Sequence, residues 1–445
     1  LWTRFNSVNT AASVMRNDSA VENWSTQNRI SRPGQRCVRF LVIMQLLGNL
    51  AYAVESDPAP TNPTRAEATL DQLLTYTPHI NTLLIDREFA VIGGNWGWDL
   101  CIDAPLNGEP ESAEITLRRA KAWYARRFGD YRRLKLTANY SRGGGLELSD
   151  NYFTYNGWDR TRVLIGISDP AFSLESVSSS AGLTFMERGL VVAALSESKS
   201  ANIGFLRRND NSILNAALTL FNVSQDDLRE DGQGIVLHYV HSPISIGRAD
   251  SVHVGGSFSY RWNASEDNTR FRSRPEVATI NDFYVDTGEI AGADRIGRLG
   301  LEASRVAGRF SWQTEIIAAR VQRKSRDTAE FWGAYAFASW FLTDDSRNYD
   351  FGDGSFGKVQ VNHPVRGEGR GAFELAFRAS YVDLTDGDIV GGRQKNLSAG
   401  INWYPNQRWR LMANVVKVLD VERPGSEFDG ADPLSVSLRV QWVLN

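Results

Sequence analysis

The chain has 445 residues, 42% of them hydrophobic and 23% charged, with a formal net charge of −3. A mean hydropathy of −0.33 excludes a bundle of membrane helices, which needs apolar runs of about 20 residues; residues 40–50 come closest and are broken by Gln45, Gly48 and Asn49. The near-balanced charge excludes no partner, but only seven of 49 basic residues are lysine, and arginine, always charged, grips oxyanions with two N–H groups at once; that skew suits an anion path and equally a GC-rich coding bias.

In chain order, residues 1–31 fit no targeting pattern and read as an upstream extension, with Met15 available as an internal start. Residues 32–53 read as a secretory signal peptide: Arg32, Arg36 and Arg39 precede the apolar run from Phe40 to Leu47, and Ala51-Tyr52-Ala53 offers a small-x-small cleavage site. Its removal takes Cys37 and leaves Cys101 without an internal partner; no second Cys or His adjoins either, so neither a metal site nor a cofactor is expected. Residues 54–90 read as a periplasmic linker, marked by Pro58, Pro60 and Pro63, followed by one short helix over 66–74.

From residue 91 the pattern changes to period two. Leu134, Leu136, Ala138 and Tyr140 oppose Arg133, Lys135, Thr137 and Asn139. Val252, Val254, Phe258, Tyr260 and Trp262 oppose Ser251, His253, Ser257, Ser259 and Arg261. The same holds for Phe373, Leu375 and Phe377 against Glu374 and Arg378, for Leu397 and Ile401 against Ser398 and Asn402, and for Leu434, Val436 and Leu438 against Ser435, Ser437 and Arg439. Such runs are strands with one apolar and one wet face, and their length of about ten residues matches a tilted membrane strand rather than a globular one. Tyr140, Tyr260, Trp262, Trp403 and Trp442 stand near run ends, where interfacial rings belong.

At roughly 22 residues per strand and connection, residues 91–445 hold about sixteen strands of an all-β, transmembrane antiparallel barrel, wide enough for an aqueous channel. The tract 404–407 reads as a tight turn, and 344–357 and 265–274 as external loops; 200–235 is weakly patterned. The polar, serine-rich stretch around residues 173–188 suits a wet lumen and could not face lipid.

Several segments resemble the phosphate-selective porin O and P family: Leu117-Arg118-Arg119-Ala120-Lys121, the tract from Asp169-Pro170-Ala171-Phe172 to Phe185-Met186-Glu187-Arg188, Trp332-Gly333-Ala334-Tyr335, Tyr381-Val382-Asp383-Leu384 and the run from Asn396 to Asn406, in family order over 109–445. The resemblance implies a bacterial outer-membrane porin for small hydrophilic solutes, possessing anion or phosphate preference. It also implies a homotrimer in which an inward-folded third loop narrows each barrel. The constriction residues would then be Ser173, Glu175, Ser176, Ser178, Ser179, Ser180, Glu187 and Arg188. Phosphate-binding members carry lysines in this segment, and Ser176 and Ala181 stand at those positions here.

The inward phase assigns Arg119, Lys121, Arg133, Lys135, Arg261, Arg378 and Arg439 to the pore lining, because a basic side chain on the lipid face costs about 2–4 kcal/mol near the midplane. Inward arginines also pair with carboxylates to brace a wall, and Glu302, Glu315 and Glu374 are available. Arg207-Arg208 reads as a substitute for the missing lysines or as a solvated turn. The alternatives are a solute porin without an anion site and, more remotely, an outer-membrane hydrolase using His253 beside Ser251 and Ser257. Catalytic residues are not expected, and no basic run with interleaved aromatics points to nucleic acid.

Overall fold

The computed structural model describes residues 84–85, 90–104, 112–141, 145–180, 182–223, 232–244, 249–264, 269–366 and 368–443, with side chains from residue 120 onward except 141 and 145–148. The expected upstream extension, signal peptide and linker therefore lie outside the described residues, Leu84–Ile85 and Ala90 apart.

Sixteen long strands form the wall: β1 (Ala90–Ala104), β2 (Ser112–Phe128), β3 (Arg132–Ser141), β4 (Asn151–Trp158), β5 (Thr161–Ser168), β6 (Ser200–Arg208), β7 (Ser212–Asn222) and β8 (Gln233–His241), then β9 (Asp250–Trp262), β10 (Ala293–Ala307), β11 (Phe310–Arg323), β12 (Ala329–Phe341), β13 (Ala372–Asp386), β14 (Ile389–Tyr404), β15 (Trp409–Glu422) and β16 (Leu434–Val443). Each pairs antiparallel with the next. β16 then returns to β1, with Leu438 opposite Leu100 and Trp442 opposite Trp96. A ladder that meets its own first strand has no edge left to pair with another chain.

Alternation fixes the two faces. Along β10, Ile296, Arg298, Glu302, Ser304 and Val306 are buried inside, while Leu299 and Leu301 stand outside at 62% and 66% exposure. Phe258, Ile316, Trp340, Phe377, Leu397, Ile401 and Leu438 extend the same apolar outer surface around the ring, as a hydrocarbon solvent requires.

At one end most connections are tight turns, such as 129–131, 159–160, 209–211 and 308–309. From the opposite end, the described parts of segments 169–199 and 263–292 fold into the lumen. Segment 342–371 enters from the turn end. Phe172, Phe185, Leu190, Val191 and Leu195 pack with Phe271, Val285 and Ile290 against inward Ile296, Ile317, Phe331, Phe337 and Val382. Each such burial is worth about 1.5–3 kcal/mol. The short helix α1 (Leu174–Val177) and helix α2 (Leu190–Leu195) lie in the first segment. α2 sits directly on Gly333, where an added Cβ would meet Val191 Cβ at 2.9 Å and the Tyr381 carbonyl oxygen at 2.5 Å.

Segment 344–357 and residues 269–274, expected within external loops, are corrected by this arrangement: Tyr349, Phe356, Phe271 and Ser273 are buried within the barrel, while 265–268 lie outside the described residues. A polar, Gly-rich tract can lie inside when the inner wall supplies its hydrogen bonds, and composition cannot distinguish that from solvent. The weakly patterned 200–235 region contains regular strands, β6, β7 and the start of β8. Its pattern fails because inward Leu206 and Ile213 are apolar, packing with Val240 on Phe351 of the inserted segment.

Candidate functional site

The lumen has a covered wall and an open one. The covered wall is built around segment 169–199. Ser173 and Ser176 cap α1 reciprocally, the Ser173 hydroxyl accepting from Ser176 N–H and the Ser176 hydroxyl from Ser173 N–H at 3.2 Å. The next N–H groups go to the barrel: Leu174 donates to Glu302 Oε2 at 2.6 Å and Glu175 to Glu315 Oε1 at 2.8 Å. Gly189 N–H donates to Glu175 Oε2 at 2.8 Å, and Leu190 N–H to Glu276 Oε1 at 3.0 Å. Carbonyls are claimed from the other side, with Arg410 donating to Leu183 and Thr184, Arg439 to Met186 and Arg378 to Glu187. Arg188 closes the segment on itself by donating to the Glu175 carbonyl.

Several of the buried charges on this wall are paired. Glu197 sits between Arg261 at 2.5 Å and Arg298 at 2.9 Å, all three side chains fully enclosed. Burial works to raise the Glu197 carboxyl, yet the two guanidiniums hold it at about 2. For Glu175 burial wins and pushes the carboxyl up, although Arg378 lies 3.8 Å away. Glu302 accepts from His238 at 2.6 Å and His253 at 2.8 Å, and His253 Nδ1 meets the Tyr349 hydroxyl at 2.7 Å. Both ring nitrogens of His253 are thereby engaged, by Glu302 and Tyr349 rather than by Ser251 or Ser257.

The open wall is formed by β2 to β6. Register places Lys121 opposite Asn139, Ala125 opposite Lys135, and Arg127 opposite Arg133, all on the inner face. Lys121, Lys135 and Lys199 converge on Asp150 at 2.7, 3.5 and 2.7 Å, and Lys199 also reaches Asp169 at 2.9 Å. Burial works to lower Lys199, and Asp169 and Asp150 more than reverse it, raising the ammonium above its usual value. Nearer the turn end, Arg133 feels the charges of Arg127, Arg162 and Asp353, and Arg208 those of Arg162, Asp353 and Asp350. Four guanidiniums thus share a half-open surface with two described carboxylates, an arrangement that concentrates anions.

Of the residues expected to line the pore, Lys121, Arg133 and Lys135 lie on this open wall. The Arg119 side chain falls outside the described residues. Arg261, Arg378 and Arg439 point inward but are corrected as lining: they are 0%, 2% and 8% exposed, enclosed behind the inserted segments and engaged with Glu197, Glu276 and Glu187. Among the expected constriction residues Ser173, Glu175 and Ser178 are buried against the wall, Ser176, Ser180, Glu187 and Arg188 half-buried and Ser179 exposed. Ala181 falls outside the described residues. Sequence reasoning did not single out Arg127, Arg162, Lys199 or Asp353. Arg127 keeps the odd-numbered phase of Lys121 and was legible on that ground; Arg162 follows the irregular pairing between Tyr155 and Trp158, which breaks the phase.

A sequence profile of the family described as Phosphate-selective porin O and P matches residues 91–444. An uncharacterised protein of Caulobacter vibrioides is 28% identical over 333 residues, covering 68% of this chain and 64% of its own length. Porin O of Pseudomonas aeruginosa is 25% identical over 329 residues, covering 64% of this chain and 73% of its own. Among solved structures, the anion-selective porin from Comamonas acidovorans superposes with a TM-score of 0.52 at 10% identity, over 80% of this chain and 100% of that one, a likeness of fold.

Proposed function

Because the chain belongs to the phosphate-selective porin O and P family, we propose that it is a diffusion channel of the bacterial outer membrane that passes small hydrophilic solutes and prefers anions. The observation that carries the preference is the cluster of Arg127, Arg133, Arg162 and Arg208 on a wall that, among the described residues, the inserted segments leave largely open. Fixed cations along a narrow aqueous path lower the energy of a passing anion and raise that of a cation. Segment 169–199 supplies the constriction, held by hydrogen bonds to β10, β11, β13, β14, β15 and β16. Self-association as a homotrimer completes the reading, as the family resemblance implies.

Ser176 favours a broad anion preference over a dedicated phosphate site. It stands where phosphate-binding members carry lysine, and its hydroxyl is committed to the α1 cap. The test is single-channel current from purified protein in a planar bilayer, with the reversal potential measured in a KCl gradient before and after adding phosphate. An anion-shifted reversal potential, conductance steps in threes and weak phosphate block are expected. A reversal potential at zero would remove the anion preference, and absence of conductance would remove the channel.

A further inference from the structure

Segment 342–371 carries a small hairpin, Asn348–Asp350 paired with Ser355–Gly357, whose tip faces the open wall. The tip is fixed from behind. Phe351 packs on Leu206, Ile213 and Val240, and Tyr349 and Phe356 cluster with Leu174 and Val306. Asp350 Oδ1 accepts from Gly352 N–H at 2.8 Å, and Gly354, at φ +63°, turns the chain back. This scaffold presents Asp353 to the arginine cluster, its Oδ1 accepting from Arg162 at 2.8 Å and lying 3.9 Å from Arg208.

We propose that Asp353 is a tethered competitor for permeating anions: it occupies Arg162 and Arg208 as a carboxylate that each passing anion must displace, and so sets how strongly the channel holds and selects its solutes. This rests on the anion-preferring reading above. Two features separate the pair from the structural ion pairs of the covered wall. Its members are open to water, at 45% exposure for Asp353 against 32% and 39% for the arginines, so exchange needs no unpacking. The carboxylate also comes from a different inserted segment than the one forming the constriction, on a hairpin that packs against that segment through Leu174 and Ser178. An exposed ion pair is weak, enough to shorten the stay of an anion without blocking the path. The solutes it discriminates are small oxyanions, carboxylate or phosphate, which bind a guanidinium as Asp353 does.

The experiment compares wild type with Asp353→Asn and Asp353→Glu in planar bilayers, reading the KCl reversal potential and the half-blocking concentration of inorganic phosphate. Asp210→Asn, which removes the partner of Arg160 at a neighbouring exposed turn, is the control and leaves both readings unchanged. In Asp353→Asn the reversal potential moves further toward the anion value and the half-blocking phosphate concentration falls, by up to about fivefold for a pair of this exposure. Asp353→Glu keeps the charge and returns both to wild type. An anion-selective wild type with an unchanged Asp353→Asn channel overturns the competitor while leaving the anion reading intact. A Glu variant shifted as far as the Asn variant also overturns it, because the shape of the tip and not its charge would then be acting. A wild type without anion preference overturns both readings together.

Discussion

Arg261 and Arg162 are the same residue type, both directed into the lumen, and they do opposite things. Arg261 and Arg298 clamp Glu197 with no exposed side-chain surface, whereas Arg162 and Arg208 meet Asp353 in water. What separates them is cover. Where segments 169–199 and 263–292 lie on the wall, a guanidinium must be fully paired or carry a large desolvation cost, and it becomes a fastener. Where the wall is bare, water screens the charge, incomplete pairing is tolerated and the arginine remains available to solutes.

The largest way to break this contrast is to strip the covered wall of its counter-charge. Glu197→Ala leaves Arg261 and Arg298 buried without their carboxylate and is expected to cost about 3–5 kcal/mol, read as a lower unfolding temperature in detergent together with noisier single-channel current. An unchanged unfolding temperature would mean that the fasteners are not fastening.

Acid should undo the same clamp more gently. The Glu197 carboxyl is held at about 2 against 4.5 for an unperturbed glutamate. A depressed folded value means its contribution is complete above pH 4.5 and is lost as pH falls from 4.5 to about 2. The stability gap between wild type and Glu197→Ala should therefore hold at neutral pH and close over that window; a gap that survives at pH 2 would contradict the pairing.

The smallest effect on stability belongs to the open wall. Arg133→Gln should leave unfolding within about 0.5 kcal/mol of wild type while moving the KCl reversal potential toward zero. A large loss of stability with no change in selectivity would place Arg133 among the fasteners and erase the distinction between the walls.

The outer face of the barrel was plain in the sequence. Period-two runs over residues 251–262, 373–381, 396–403 and 434–442 fall within β9, β13, β14 and β16, because hydrocarbon enforces apolar residues at every second position. The inner face was legible only where it meets water. Beneath the inserted segments it is packed like a protein core: β12 carries Phe331, Tyr335 and Phe337 inside and Trp332 and Trp340 outside, so both faces look apolar. The same limit governed the site. Phase placed Arg133, Arg261, Arg378 and Arg439 inside, but nothing local to these residues records which would be covered by segments that arrive from up to 253 positions away. The hairpin bearing Asp353 was hidden for the converse reason, since its Asp- and Gly-rich composition is that of any solvated loop.

Segments 169–199 and 342–371, entering from opposite ends, touch: Phe356 N–H donates to Ser178 Oγ at 3.0 Å, and a Cβ on Gly182 would strike the Gly357 carbonyl oxygen at 2.8 Å. Each segment is also anchored in the wall, through Glu302 and Glu315 for one and through Phe351 on Leu206, Ile213 and Val240 for the other. Mechanically, the pair is a crossbeam. A wide tube of thin sheet ovalises under lateral pressure from its surroundings, and a beam with both ends fixed in the wall opposes that flattening. It also keeps the open bay at constant width, so the bore is set by the beam as well as by the number of strands around it.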